Sequence, residues 1–131
     1  LMDRIDLHVE VLPLSTEELT TAPLGETSAM VRERVVQARK IQEERYKIYP
    51  DIHCNAQINT KLLRQYCVVN SEGLELLKNT MDKLGLSARA YDRILKVART
   101  IADLDGAANI SNEHLSEAIN FRSLDRDNWG K

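Results

Sequence analysis

The sequence predicts an all-α protein, a small helical bundle preceded by one orphan β-strand. Three observations predict it. Apolar residues recur at helical spacing in several segments between residue 28 and about residue 120, most of them opened by a Ser, Thr or Asn suited to an N-cap. Pro13, Pro23, Gly25, Pro50, Gly85 and Gly106 punctuate those segments. Only residues 5–11 alternate apolar and polar with period two, and a lone strand has no edge to bond with inside this chain. The 131 residues suffice for one domain with a real core.

The elements follow in order. Ile5, Leu7, Val9 and Val11 share one face of the strand, with Asp6, His8 and Glu10 on the other, and Pro13 ends it. The strand reads as torn from a sheet that lies elsewhere, and the chain as a piece cut from a longer protein. Residues 13–27 read as a linker with a short helical turn near 15–19. A long helix is expected over 28–49, capped by Thr27 or Ser28 and stopped by Pro50. Val31, Val35, Ala38, Gln42 and Tyr49 follow its repeat, and its outer face carries Arg32, Arg34, Arg39, Lys40, Arg45 and Lys47. A loop over 51–58 leads to a short helix ending at Tyr66, capped by Asn59 or Thr60. Asn70 caps the next, which runs to Leu84 with Leu74, Leu77, Met81 and Leu84 inward. Ser87 caps a helix that Gly106 terminates, with Ala90, Tyr91, Ile94, Leu95, Ala98, Ile101 and Ala102 on its core face. Arg89, Arg93, Lys96, Thr100 and Asp103 fall opposite. Ser111 caps the last helix, with Ile110 and Leu115 spaced as a hydrophobic staple. The tail RSLDRDNWGK, residues 122–131, is expected to fray.

Composition excludes several function classes. A net charge of −2 gives no bulk electrostatic case for nucleic acid. Phe121, Trp129 and four tyrosines are too few and too scattered for a base-stacking platform. Two cysteines, Cys54 and Cys67, do not make a disulfide framework, and a reduced, cytoplasmic setting is the default. No apolar run is long enough for a membrane span. The chain contains no GxxxxGK[ST], GxGxxG or GxSxG segment, and the spacing of His8, His53, Cys54, Cys67 and His114 matches no zinc pattern. His114, in a first helical turn, is expected at the surface. On chemistry alone the chain is not a complete enzyme.

Arg89 is the residue that chemistry singles out. A helix N-terminus behaves as a partial positive charge, so a cation in the first turn costs roughly 0.3–1 kcal/mol. The same end is an anion site, and an arginine there makes sense if a phosphate comes close. A solvated face, with Arg89 free or paired to Asp92, is the alternative. Arg4, before the orphan strand, reads alone as an ordinary flanking charge.

Taken together, LMDRIDLHVEV and GLSARAYDRILKVARTIADLDG, with NAQI at 55–58, YC at 66–67 and FRSLDR at 121–126, closely resemble the C-terminal part of magnesium-chelatase-like AAA+ ATPases, in the ComM/YifB branch. The resemblance runs from Leu1 to about Arg126. It implies that residues 1–12 are a remnant of the AAA+ core, 13–27 a linker, 28–126 the helical lid and 127–131 a tail. It also implies that Arg4 is the arginine finger, acting in trans on a neighbour's ATP, and that Arg89 is the sensor-2 arginine reaching the γ-phosphate. The helix at 28–49 is then a candidate for the insertion that displaces the lid. The phosphate loop, the acidic Mg²⁺-binding segment and the sensor-1 strand would lie upstream. ATP and Mg²⁺ are thus expected for the full-length protein, and neither bound to this chain alone. The implied partners are the protein's own AAA+ core and the neighbouring subunits of a ring, with ATP-driven branch migration of DNA as the implied work and no membrane involved. Two other readings stand beside it: a DNA-binding helical module using Arg32, Arg39, Lys40, Arg93 and Lys96, and a plain interaction domain.

Overall fold

A computed structural model describes residues 4–21 and 25–122. The first three residues, which are the LMD of the opening motif, part of the expected linker and all of the expected tail except Arg122 lie outside the described residues, as does most of FRSLDR. Arg122 is fully buried rather than frayed, because its guanidinium is bonded to the backbone of Ile5.

Six α-helices are described: α1 (Thr16–Thr21), α2 (Ser28–Arg45), α3 (Thr60–Tyr66), α4 (Ser71–Leu84), α5 (Ala88–Leu104) and α6 (Asn112–Asn120), with a 3₁₀ turn at Asn55–Gln57. The all-α expectation holds. Every predicted cap from Thr27 onward is made by a side chain. Thr27, Asn59, Asn70, Ser87 and Ser111 each accept from a backbone N–H in the first turn of the helix that follows. These caps satisfy donors that a helix start otherwise leaves open, which is why the boundaries were readable.

The core surrounds α5. Ala90, Ile94, Leu95, Ala98 and Ala102 are buried against Tyr46, Ile58, Leu62, Leu63, Leu77, Ile110, Leu115 and Ala118. Small residues at 90, 98 and 102 let neighbouring helices approach closely, and α6, α2, α3 and the Asn55 turn all pack on α5. The Ile110–Leu115 staple is buried at both ends. Leu77 is the fully buried member of α4. Met81 and Leu84 are half-buried, and Leu74 faces outward at 39% exposure.

Three expectations are revised. Residues 5–11 form no strand among the described residues, and the expected two-faced pattern is absent, Asp6 and Glu10 being exposed as well. His8 is buried, while Ile5, Leu7, Val9 and Val11 are exposed. The physical reason is the one that made the strand an orphan. With no sheet edge to pair with, the segment takes single contacts instead. His8 N donates to Phe121 O at 2.7 Å, and the Arg122 guanidinium donates to Ile5 O. The long helix stops at Arg45, with Tyr46 as C-cap, four residues short of Tyr49, and turns carry the chain to Pro50. Its expected apolar repeat is buried only at Ala38 and Gln42, and residues 28–37 are exposed throughout. His114 is not at the surface. It is buried, its Nδ1 accepts from Ser111 N at 3.0 Å and its Nε2 donates to Asp105 Oδ2 at 2.8 Å. A histidine thus closes a capping box that Glu or Gln ordinarily closes.

Candidate functional site

The start of α5 is built by two turns in succession. Gly85 ends α4 in the left-handed region, at φ 62°, where only glycine is unstrained. Ser87 then caps α5, its Oγ accepting from Ala90 N at 3.2 Å. Arg89 is the second residue of α5, in a first turn with no acidic residue. It is exposed and makes no hydrogen bond or ion pair with any described residue, Asp92 included. The first turn therefore presents a partial positive pole and a whole positive charge together, which suits an arriving anion.

Arg4 is exposed too, and likewise pairs with no described residue. Its neighbour Asp6 forms an ion pair with Arg93, one helical turn beyond Arg89. That ion pair ties the segment bearing Arg4 to the helix bearing Arg89, while the contacts of Ile5 and His8 to Arg122 and Phe121 hold it to the end of α6.

The five cations proposed for DNA are divided by the fold. Arg32, Arg39 and Lys40 stand on the exposed part of α2. Arg93 is engaged with Asp6, and Lys96 is half-buried, its Nζ directed at Ala56 O from 3.4 Å. The basic face of α5 is therefore partly consumed by internal contacts.

Beside these surface residues lies a buried polar cluster that the periodicity did not announce. Asp103 is fully enclosed and accepts from Arg45 through both oxygens, at 2.6 and 2.8 Å, and from Asn55 Nδ2 at 3.0 Å. Arg99 reaches Asp103 Oδ1 at 3.2 Å and donates to the carbonyls of Ala107 and Ala108. Asn55 is satisfied on every side. Its N–H donates to Gln42 Oε1, its Nδ2 also to Thr100 Oγ1, and its Oδ1 accepts from Tyr46 Oη at 2.6 Å. The hydrogen bonds from Arg45 to Asp103 hold its guanidinium more firmly protonated than usual. Burial pushes Tyr46 up to about 12 and the Cys67 thiol up to about 11. The cluster joins α2, the Asn55 turn and α5. Asp103 was expected on the polar face and Arg45 on the outer face of α2, and both are corrected. The signal in the sequence was Arg99, which sits between Ala98 and Ala102 and four residues before Asp103, so that a charge falls inside the apolar stripe.

Among the described residues, no three His, Cys, Asp or Glu side chains converge as a metal site, and no helix is long and apolar enough to cross a membrane.

Residues 25–122 match the family described as magnesium chelatase, subunit ChlI C-terminal. The chain belongs to that family. As a magnesium chelatase C-terminal domain it is similar to the competence protein ComM of Haemophilus influenzae, with 46% identity over 95% of this chain and 24% of that protein. It is also similar to the YifB proteins of Salmonella typhimurium and Escherichia coli, at 41% and 42% identity over the same shares. The chain spans about a quarter of the length of these relatives and corresponds to their C-terminal part. Several segments that carried the resemblance map onto the buried cluster of this magnesium chelatase domain. NAQI supplies Asn55, and ARTIADL supplies Arg99, Thr100 and Asp103.

Proposed function

We propose that this domain is the helical lid of a ring-forming AAA+ ATPase, with Arg89 as the sensor-2 arginine and Arg4 as the arginine finger at shared ATP sites. The observation that carries the reading is Arg89 itself. An exposed arginine with no described partner stands in the first turn of the helix at the centre of the core. A forked guanidinium suits the charge that builds on phosphoryl oxygens, and its cost at a helix start is offset when an anion arrives. The domain's folded part is tied to the Arg4 segment through Asp6 and Arg93, so both arginines belong to one unit. Bound ATP and Mg²⁺ would supply the phosphoryl group and its counter-charge, and Arg4 and Arg89 would bind and orient the terminal phosphate. The parent protein is then an ATPase that works on DNA, assembled as a homo-oligomer.

The test uses the full-length protein. Arg89→Ala and Arg4→Ala abolish ATPase activity, the latter by ~10³-fold or more if it acts as a finger. Both leave the thermal unfolding of the 131-residue chain within about 0.5 kcal/mol of wild type, since both residues are exposed. Normal turnover in the Arg89 variant sinks the reading. A direct role in holding DNA rests on the exposed Arg32, Arg39 and Lys40. A gel shift of this chain should show binding that weakens steeply as salt rises, and retention of affinity at high salt would count against it.

A further inference from the structure

We propose that the cluster around Asp103 contains a binding site for a free oxyanion of the phosphate class, distinct from the site at Arg89. Two guanidiniums, Arg45 and Arg99, share one carboxylate, Asp103, and no other carboxylate pairs with either among the described residues. The side chains of Arg45 and Arg99 are 13% and 5% exposed, so one full positive charge stands uncompensated in a nearly buried setting. An excess of buried positive charge is costly even where the guanidiniums are hydrogen-bonded, as Arg99 is to the carbonyls of Ala107 and Ala108, and a bound anion reduces that cost. Arg99 Nε is buried with no hydrogen-bond acceptor, although its other nitrogens are used. Such an atom is rare in a folded protein; closed to solvent, it bonds nothing in the pocket itself, but it adds to the positive charge left without an acceptor.

The same two arginines line a pocket of about 190 Å³ together with Gln65, Tyr66 and Asn109. At ~30 Å³ per water that is room for about six waters, ample for a phosphate-sized ion. The exposed amides of Gln65 and Asn109 add neutral donors at the rim, and the lining holds no acidic residue. Planar guanidinium forks suit an oxyanion in particular, because they can bond two of its oxygens at once.

The test is thermal unfolding of the 131-residue chain in inorganic phosphate against chloride at matched ionic strength, at low millimolar concentration where phosphate's general stabilising effect is small. At about five times its Kd, phosphate raises Tm by roughly 3–6 °C, and the rise saturates. Asn109→Asp and Gln65→Glu each place a carboxylate at the pocket's exposed rim without disturbing the core. Each is expected to raise Tm in chloride and to abolish the response to phosphate. Arg89→Ala keeps the response. The proposal is overturned if wild type shows no saturable rise, if both rim variants respond as wild type does, or if the response disappears with Arg89.

Discussion

At the scale of single residues, Asp103 is the negative charge on which the buried cluster turns. It neutralises part of two arginines and orients Asn55, which in turn fixes Tyr46, Thr100 and the backbone of its own turn. Asp103→Asn leaves both guanidiniums buried and unpaired. We expect a loss of about 3–5 kcal/mol, read from urea unfolding midpoints. Changing Asp105, whose exposed carboxylate meets His114, should cost far less. Charge type alone could not separate the two aspartates in the sequence. The apolar positions of α5 were legible because burial follows a period, but a satisfied buried charge obeys its partners rather than a period. Arg45 was out of reach for the same reason, since its partner lies 58 residues away. Arg89 was legible, because its oddity is local: a cation where a helix start disfavours one.

At the scale of elements, the caps were the most readable feature, since each needs only a short polar side chain at the right offset. Ser87→Ala should destabilise by ~1 kcal/mol. Gly85→Ala, which forces a Cβ into the left-handed region, should cost a similar ~1 kcal/mol. Guanidinium chloride melts of the two variants check both. A cap variant at Ser87 has a second expected effect. It loosens the turn that presents Arg89, so ATPase activity in the full-length protein falls by more than the lost stability accounts for. The elements that sequence patterning misjudged are those whose pattern implied a partner. The alternation of residues 5–11 describes a strand only where a sheet edge exists, and the valines of α2 describe a buried face only where something covers them. In the described structure neither condition is met, so His8 turns in and Val31, Val35 and Val36 remain exposed.

At the scale of the whole molecule, stability is tied to alkaline pH through the core. The Cys67 thiol is held up to about 11 from 9.0 by burial, and the Tyr46 phenol up to about 12 from 10.0 for the same reason. Well below pH 9 both groups stay protonated folded or unfolded, and they add no pH dependence. Above it the unfolded chain releases protons that the folded chain retains, so unfolding is favoured progressively. Denaturation midpoints should therefore fall between about pH 9 and 12. Cys67→Ala should flatten the lower part of that decline. The helix α2 divides the molecule in another respect. Residues 28–37 bury no side chain, whereas Ala38 and Gln42 enter the core and Arg45 is clamped to α5. The amides of residues 28–37 are guarded only by the helix's own backbone bonds and, at Met30, by the Thr27 cap, and they can open without disturbing the rest. Deuterium should enter that half within the first moments of labelling, and reach the Ala38–Arg45 half only when the central helix itself opens. One continuous helix would then report two separate free energies, with the boundary near Ala38.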